Sequence, residues 1–146
     1  MASPAQSSPP SLAGVNPALL LIRTASALAF FYHGSAILFG AFGGPGPQGF
    51  AGYMHAPVAV GYLVGLAQVA GAIAMLLGIF VRIGAACLII VMLGAIFLVH
   101  LPHGFDVGKG GLEYALTQLL IALAVLIAGA GKYSLAAKLG GSLQRL

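Results

Sequence analysis

Side chains that could do chemistry are few in this chain, and most of them lie in or beside one stretch. The sequence has 146 residues with two carboxylates, Asp106 and Glu113, and four histidines, of which His100 and His103 come just before them. Imidazole titrates near neutral pH and both donates and accepts hydrogen bonds, so a histidine close to a carboxylate can carry protons. The segment 82–113 is therefore the first place to look for a functional site.

The remaining composition is typical of an integral membrane protein. Hydrophobic residues make up 60% of the chain and charged residues 5%, and no charged residue occurs between Arg23 and Arg82. A charge at the bilayer centre costs at least about 2.5 kcal/mol, so a gap of this length can contain two membrane crossings and their loop. The net charge is +4, but the six basic residues are scattered. They form no stripe that could follow a phosphate backbone, which argues against a nucleic-acid partner.

Four apolar segments predict an all-α, four-helix transmembrane bundle in the lipid bilayer. Each has about the 20 residues that a crossing needs, and the predicted helices are 17–41, 57–80, 82–101 and 112–130. Asn16 followed by Pro17 predicts an N-cap and first turn for the first helix. We expect a disordered tail at 1–16, the membrane domain at 17–136 and a short tail at 137–146.

The loop at 43–55 is rich in glycine and proline, which end a helix. Within it, Gly49–Met54 could form a short interfacial or re-entrant piece. Whether this segment covers a site as a lid is left open by the sequence.

Basic residues predict the orientation of the bundle, because cytoplasmic loops carry an excess of Lys and Arg. With four crossings both termini lie on the same side, and five of the six basic residues fall there while Lys109 lies opposite. The five are Arg23, Arg82, Lys132, Lys138 and Arg145. We therefore predict cytoplasmic termini.

The polar residues fall mainly in the outer third of the predicted bundle. At about 1.5 Å per residue, His33 and His100 lie roughly 24 and 27 Å from the cytoplasmic ends of their helices. Glu113 opens the last helix at the same surface with Gln118 just below it, and Gln68 lies near mid-membrane. Ionisable groups at membrane depth are functional candidates. Histidines as hydrogen-bond donors, with Glu113 as their proton partner, fit a quinone headgroup, whose carbonyl oxygens need donors and, on reduction, protons.

Other interpretations of these residues stay open. His33 and Gln68 could hydrogen-bond between helices, and His100 with Glu113 could form a structural pair. His100 and His103 have side chains that bind zinc or iron, but this spacing at a helix end often arises by chance, so we assign no metal site. His33 and His100 could ligate a haem, although nothing else in the sequence supports it.

Small residues in the second predicted helix indicate close helix packing. Gly61, Gly65 and Gly71 include one GxxxG spacing, which lets a neighbouring backbone approach. An alternative function is therefore a structural or assembly subunit without a ligand, whose glycines pack against a larger partner, and the sequence leaves the oligomeric state open. A small-solute transporter is a third hypothesis, but no charged residue marks a pathway at mid-membrane. Whether the protein is an enzyme is left open.

Several short motifs, taken in order, resemble the DoxX family of small four-helix bacterial membrane proteins. The similarity covers about residues 17–136. The motifs are Arg23, FYHG at 31–34, GLAQVAGAIAMLLGIFVRIGA at 65–85, His100 with HGF at 103–105, Glu113 and GAGKYSL at 129–135.

The resemblance implies a bacterial inner-membrane protein linked to redox systems. Relatives are associated with quinol oxidation coupled to thiosulfate, with resistance to quinones or catechols, and with membrane complexes that handle oxidative or thiol stress. By position, the residues that match the family pattern are His33, Arg82, His100, Glu113 and Ser134.

This chain departs from the family at three positions. Relatives often have Lys at the position of Ile37, Glu at that of Gln68 and Asp at that of Ala136. Loss of the Lys and the Glu together is expected if they formed an ion pair, because removing one partner would strand a buried charge. The resemblance thus leaves the outer histidines and Glu113 as the site candidates, and it favours an accessory subunit of a redox complex.

Overall fold

The computed structural model of the protein describes residues 14–140, and within this range the chain is helical and contains no strand. The helices are α1 (Val15–Phe39), α2 (Gly46–Tyr53), α3 (Val58–Leu77), α4 (Val81–Ala95), α5 (Glu113–Ala128) and α6 (Leu135–Leu139). A π-helical turn at Ile96–His100 and a 3-10 turn at Leu101–His103 extend α4, and further 3-10 turns occur at Ala41–Gly43 and Val107–Lys109. The all-α class is confirmed. Of the predicted tails, residues 1–13 and 141–146 lie outside the described range.

Three helical segments are long and apolar enough to cross a membrane. They are Val15–Phe39, Val58–Leu77 and the continuous segment Val81–His103. Large apolar side chains such as Leu21, Leu98 and Ile127 point away from the protein interior and are 70%, 71% and 76% exposed. This is the surface that a bilayer requires, and the protein is a membrane protein. α5 has 16 residues, or about 24 Å, which is shorter than a core of about 30 Å. A fourth crossing and the orientation of the termini therefore remain predictions.

The start of α1 differs from the prediction. α1 begins at Val15 with Gly14 at the N-cap position, so Asn16 lies inside the first turn. Its side-chain Oδ1 accepts a hydrogen bond of 2.8 Å from the backbone N–H of Lys132. The predicted N-cap role of Asn16 was wrong, because its side chain holds the loop that follows α5 and does not bond to its own helix.

The glycines of α3 bring the helices of this chain together. A Cβ on Gly65 would lie 2.8 Å from the Cβ of Leu38 in α1, and one on Gly61 would lie 2.2 Å from the carbonyl oxygen of Pro47 in α2. A Cβ on Gly71 would meet the side chain of Leu88 in α4 at 2.8 Å. Packing through these glycines is thus intramolecular. A larger partner would have to bind some other surface, because the chain's own helices already fill the space beside them.

Arg23 connects α1 to the last turn of α3 and to the loop after α5 by hydrogen bonds. Its side chain is fully buried, and its Nε donates to the carbonyl of Met75 in the last turn of α3 at 2.8 Å. Its Nη1 donates to the carbonyl of Ala130, just after α5. Carbonyls at a helix C-terminus have no helical donor and carry partial negative charge. One guanidinium therefore caps α3 and holds the loop after α5, and these carbonyls stabilise its charge where the described residues place no carboxylate.

Candidate functional site

A cavity of about 380 Å³ lies at the end of the bundle where α1 and the α4 extension finish and α5 begins. Its volume is within the usual range of small-molecule sites. Most of its wall is aliphatic or aromatic, including Phe30, Val64 and Met92. Besides the hydroxyls of Tyr53 and Tyr114, three polar side chains interrupt this wall: His33 of α1, Gln68 of α3 and His100. We call this space the histidine cavity.

Gln68 is the most informative of the three polar groups. Its side chain is 4% exposed, and its Oε1 has no hydrogen-bond partner among the residues that the structure describes. An unpaired buried polar group costs about 1–3 kcal/mol. Gln68 thus combines a place in the cavity wall with a side-chain oxygen that no described residue satisfies.

The close approach of α1 and α3 sets the position of Gln68. Gly34 follows His33, and a Cβ on Gly34 would lie 2.8 Å from the Cβ of Gln68. Only a residue without a side chain lets the two helices meet here. In the His-Gly pair at 33–34, the histidine supplies an imidazole and the glycine lets α1 pack closely against α3. The presence of the glycine could have indicated this close packing.

His33 lies at the exposed rim of the cavity between aromatic rings. Its ring centroid is 5.3 Å from that of Tyr32 in an edge-on arrangement and 5.9 Å from that of Tyr114 at the start of α5. Tyr32 in turn stacks on Phe42 at 4.8 Å. These contacts connect α1 to α5 across the rim.

His100 owes its position to the irregular end of α4. Pro102 lacks an N–H, so the helical hydrogen bond to the residue four positions earlier cannot form there. The chain instead makes the π-helical turn Ile96–His100, a feature that often occurs at functional sites. The Nδ1 of His100 is 2.7 Å from the carbonyl oxygen of Gly110. Because a carbonyl only accepts, Nδ1 carries a proton, and the neutral ring then presents Nε2 as an acceptor.

Two of the five predicted ligand-binding residues do not line the histidine cavity. Glu113 is exposed, and its Oε2 accepts a 3.3 Å hydrogen bond from the backbone N–H of Val107 in the preceding loop. Gln118 is buried, and its Oε1 accepts a 2.9 Å hydrogen bond from Ser26 of α1. The predicted site therefore divides into three residues at the cavity and two that make structural hydrogen bonds.

The segment at 43–55 forms part of the cavity wall, which the sequence left open. It contains α2, and Phe50, Tyr53 and Met54 line the cavity from this side. Ala51 of the same helix is buried against the protein. Where the sequence predicted a short interfacial or re-entrant piece at 49–54, the structure has the short helix Gly46–Tyr53.

The cavity reaches the membrane-facing surface. Ile90 and Leu98 line it and are also 70% and 71% exposed on the outside of α4 and its extension. A side opening of this kind gives access to a molecule dissolved in the bilayer. Entry from the lipid phase is thus open to apolar ligands.

The two histidines considered as metal ligands both bond to backbone carbonyls. His103 Nδ1 is 2.9 Å from the carbonyl oxygen of Val99, and His100 bonds to Gly110. Asp106 accepts from the backbone N–H of Gly108 at 2.9 Å. Between residues 14 and 140, no three His, Cys, Asp or Glu side chains come together in a way that could hold a metal ion.

Comparison with known proteins identifies the family. The DoxX family model matches residues 18–101, which is more than half of the chain and includes all three polar residues of the histidine cavity. Neither the curated proteins nor the solved structures include a match to this chain. The extent of the family match is sufficient for assignment, and the chain belongs to the DoxX family.

Proposed function

We propose that this protein is a bacterial inner-membrane subunit of a quinone-linked redox system and that it binds a quinone headgroup in the histidine cavity. The observation that carries the proposal is a mostly apolar cavity whose wall brings His33 and His100 together with Gln68, a buried amide whose Oε1 has no partner among the described residues. The volume, the apolar wall and the opening beside Ile90 and Leu98 suit a lipid-soluble ring with a few polar substituents.

The polar groups can bind the reduced form of the ligand. With Nδ1 bonded to Gly110, the neutral tautomer of His100 offers an acceptor at Nε2, and the amide of Gln68 has both an acceptor and donors. A quinol has two hydroxyl donors that can pair with such acceptors. We therefore expect a quinol to bind in this cavity.

The roles of the chain's own residues follow from this arrangement. A bound quinol would supply electrons to the redox system. Gln68 orients one hydroxyl, and His100 accepts a hydrogen bond from the other and can take up its proton. Hydrogen bonding to Gly110 fixes the ring of His100, which is how a general base is held in one tautomer. The apolar wall excludes water from the headgroup.

We also propose the four-crossing topology with cytoplasmic termini. α5 begins beside the histidine cavity, which its residue Tyr114 lines. It ends at the opposite end of the bundle, beside Arg23 and Arg82. It therefore runs the length of the bundle despite its 16 residues. Since the basic residues Arg23, Arg82 and Lys132 lie at one end, the positive-inside tendency supports a cytoplasmic location of that end. Labelling of single cysteines introduced into the 102–111 loop and beside Lys138, with a membrane-impermeant reagent, tests both parts.

The ligand proposal is tested by filling the cavity. Gly94 lines it, and a Cβ added there meets no atom within 4 Å. Gly94→Leu should therefore occupy the cavity without disturbing the helices. The protein is purified gently, and the co-purified quinone per protein is measured by mass spectrometry for wild type, Gly94→Leu and His100→Ala.

The matched control is Gly52→Leu. Gly52 also has no atom within 4 Å of an added Cβ, but it is exposed and does not line the cavity. The proposal predicts a loss of quinone in Gly94→Leu and retention in Gly52→Leu. Equal trace amounts in all proteins would refute it and would favour a structural or assembly subunit.

A further inference from the structure

A second cavity lies at the opposite end of the bundle and is independent of the histidine cavity. It measures about 220 Å³ and lies between the start of α1, the start of α4 and the loop after α5. We call it the basic cavity, because it is lined by Arg82 and Lys132 as well as by Asn16, Ser134, Ala137 and residues 128–131. The DoxX family match ends at residue 101, so most of this lining lies beyond it.

The guanidinium of Arg82 has unsatisfied hydrogen-bonding capacity. Its Nη2 donates to the carbonyl of Ile127 at 3.3 Å, which is a long hydrogen bond. Its Nε is buried and has no partner within the described residues. An arginine normally uses its planar set of donors on carboxylates or phosphates. Among the described residues, the Arg82 guanidinium is paired with no carboxylate.

No acidic side chain can neutralise this end of the molecule. The only carboxylate side chains of the sequence are Asp106 and Glu113, and both lie in or beside the loop at the far end of α5. Arg23 is capped by helix-end carbonyls, whereas Arg82 and Lys132 face the basic cavity together. A bound anion can supply the counter-charge that no acidic side chain provides here.

The glycine-rich loop after α5 passes beside the guanidinium. Gly129 and Gly131 have φ values of +76° and +73°, which favour glycine. A Cβ on Gly129 would lie 3.5 Å from Nη2 of Arg82. The hydrogen bond from Lys132 N–H to Asn16 fixes this loop against α1. The motif GAGKYSL at 129–135, which the histidine cavity does not use, therefore builds one wall of the basic cavity.

We propose that the basic cavity binds the phosphate group of an anionic membrane lipid. Arg82 is the second residue of α4, which is membrane-spanning, so the cavity lies at the depth where lipid headgroups are found. Basic pockets between transmembrane helices bind anionic headgroups in this way. The space is several times the roughly 30 Å³ of a water molecule, so it admits a phosphodiester with part of its headgroup while the acyl chains remain in the bilayer.

The test measures lipid binding to the full-length protein in a nonionic detergent. Native mass spectrometry follows titrations with phosphatidylglycerol and with phosphatidylcholine, and a third titration uses inorganic phosphate. The variants are Arg82→Gln and Lys132→Gln. Lys138→Gln is the control, because Lys138 is exposed at the same end but does not line the cavity.

The proposal predicts that phosphatidylglycerol binds more tightly than phosphatidylcholine. Arg82→Gln should weaken its binding about tenfold to a hundredfold, as expected for hydrogen bonds to a charged group, and Lys132→Gln about fivefold. Lys138→Gln should bind like wild type. Lys132→Gln keeps the test valid if Arg82→Gln fails to fold, because Lys132 is exposed and its hydrogen bond to Asn16 is made by the backbone N–H, which the substitution keeps.

Two results would overturn the proposal. Equal retention of both lipids by wild type and all variants would show that the cavity is not an anion site. If inorganic phosphate alone binds in an Arg82-dependent manner and phosphatidylglycerol does not, the site takes a soluble phosphate and the lipid assignment is wrong.

Discussion

Replacing Gln68 by leucine should raise the stability of the ligand-free protein and abolish ligand binding. The side chain is 4% exposed and its Oε1 has no partner within the described residues. An unsatisfied buried polar atom costs about 1–3 kcal/mol, and leucine fills nearly the same volume without that cost. We therefore expect Gln68→Leu to add about 1–2 kcal/mol to the free energy of unfolding.

A matched substitution in the same bundle should have the opposite sign. Gln118 is also buried, but its Oε1 accepts the hydrogen bond from Ser26 at 2.9 Å. Gln118→Leu removes that bond and leaves the Ser26 hydroxyl without its partner. Hydrogen bonds between transmembrane helices contribute about 0.6 kcal/mol on average and up to about 1.7, so Gln118→Leu should destabilise the protein by an amount in this range.

Thermal unfolding in detergent, with and without added quinol, measures both effects. For a chain of this size, 1–2 kcal/mol corresponds to a rise of roughly 2–8 °C in Tm. Quinol should raise the Tm of wild type and of Gln118→Leu but leave that of Gln68→Leu unchanged. If Gln68→Leu lowers the Tm as Gln118→Leu does, Gln68 is a structural hydrogen-bonding residue and the reasoning fails.

Three further predictions concern stability and charge. Arg23→Met should cost at least about 2 kcal/mol, because its buried guanidinium bonds to the end of α3 and to the loop after α5. The exposed cation control Lys138→Met should stay within about 0.5 kcal/mol in the same melting assay. Gly94→Ala should stabilise the protein by up to about 1 kcal/mol, since its Cβ meets open space in a helix; a lower Tm would contradict this. Ile37→Lys and Gln68→Glu should each lower the free energy of unfolding. The double variant should lose about 0.5–3 kcal/mol less than the sum of the two single losses. Strict additivity would show that the two positions do not interact.

The helical architecture was predictable because the apolar runs are long and the interruptions are clear. Predicted helix ends fall within a few residues of the observed ones, and Gly40 and Gly78 end α1 and α3 in the left-handed conformation that glycine favours. The details at the ends were less predictable. Asn16 has the sequence context of an N-cap, but a hydrogen bond across 116 positions of sequence decides its role.

The sequence predicted how far along the bundle the candidate site lies, but only some of the residues that line it. His33, Gln68 and His100 come together at the histidine cavity. Depth along a helix follows from sequence position, but the face that a residue presents depends on helix rotation. The bond of Gln118 to Ser26, which takes Gln118 out of the cavity wall, was therefore not predictable. The part of the wall made by the α2 segment could not be foreseen from its glycines and prolines either.

Arg23 shows a signal that sequence reasoning can use. An arginine within a membrane-spanning helix must find acceptors, and the only acidic side chains of this sequence, Asp106 and Glu113, lie far along the chain. Backbone carbonyls were the remaining acceptors, and Arg23 bonds to that of Met75 at the end of α3 and to that of Ala130 in the loop after α5. The same reasoning identifies Arg82 as the cation still in need of an anion.

The departures from the family pattern at positions 37 and 68 become interpretable once the cavity is seen. Ile37 and Gln68 line the same histidine cavity from neighbouring helices. The resemblance implies Lys and Glu at these positions in many relatives, and a buried ion pair is lost at least cost when both partners change together. Their replacement here leaves a cavity without charged carboxylate or ammonium groups, in which Gln68 and the histidines are the only polar side chains apart from tyrosine. A neutral ring with hydroxyl groups fits such a cavity better than an ionic ligand would, because it brings donors to the open acceptors without adding an uncompensated charge.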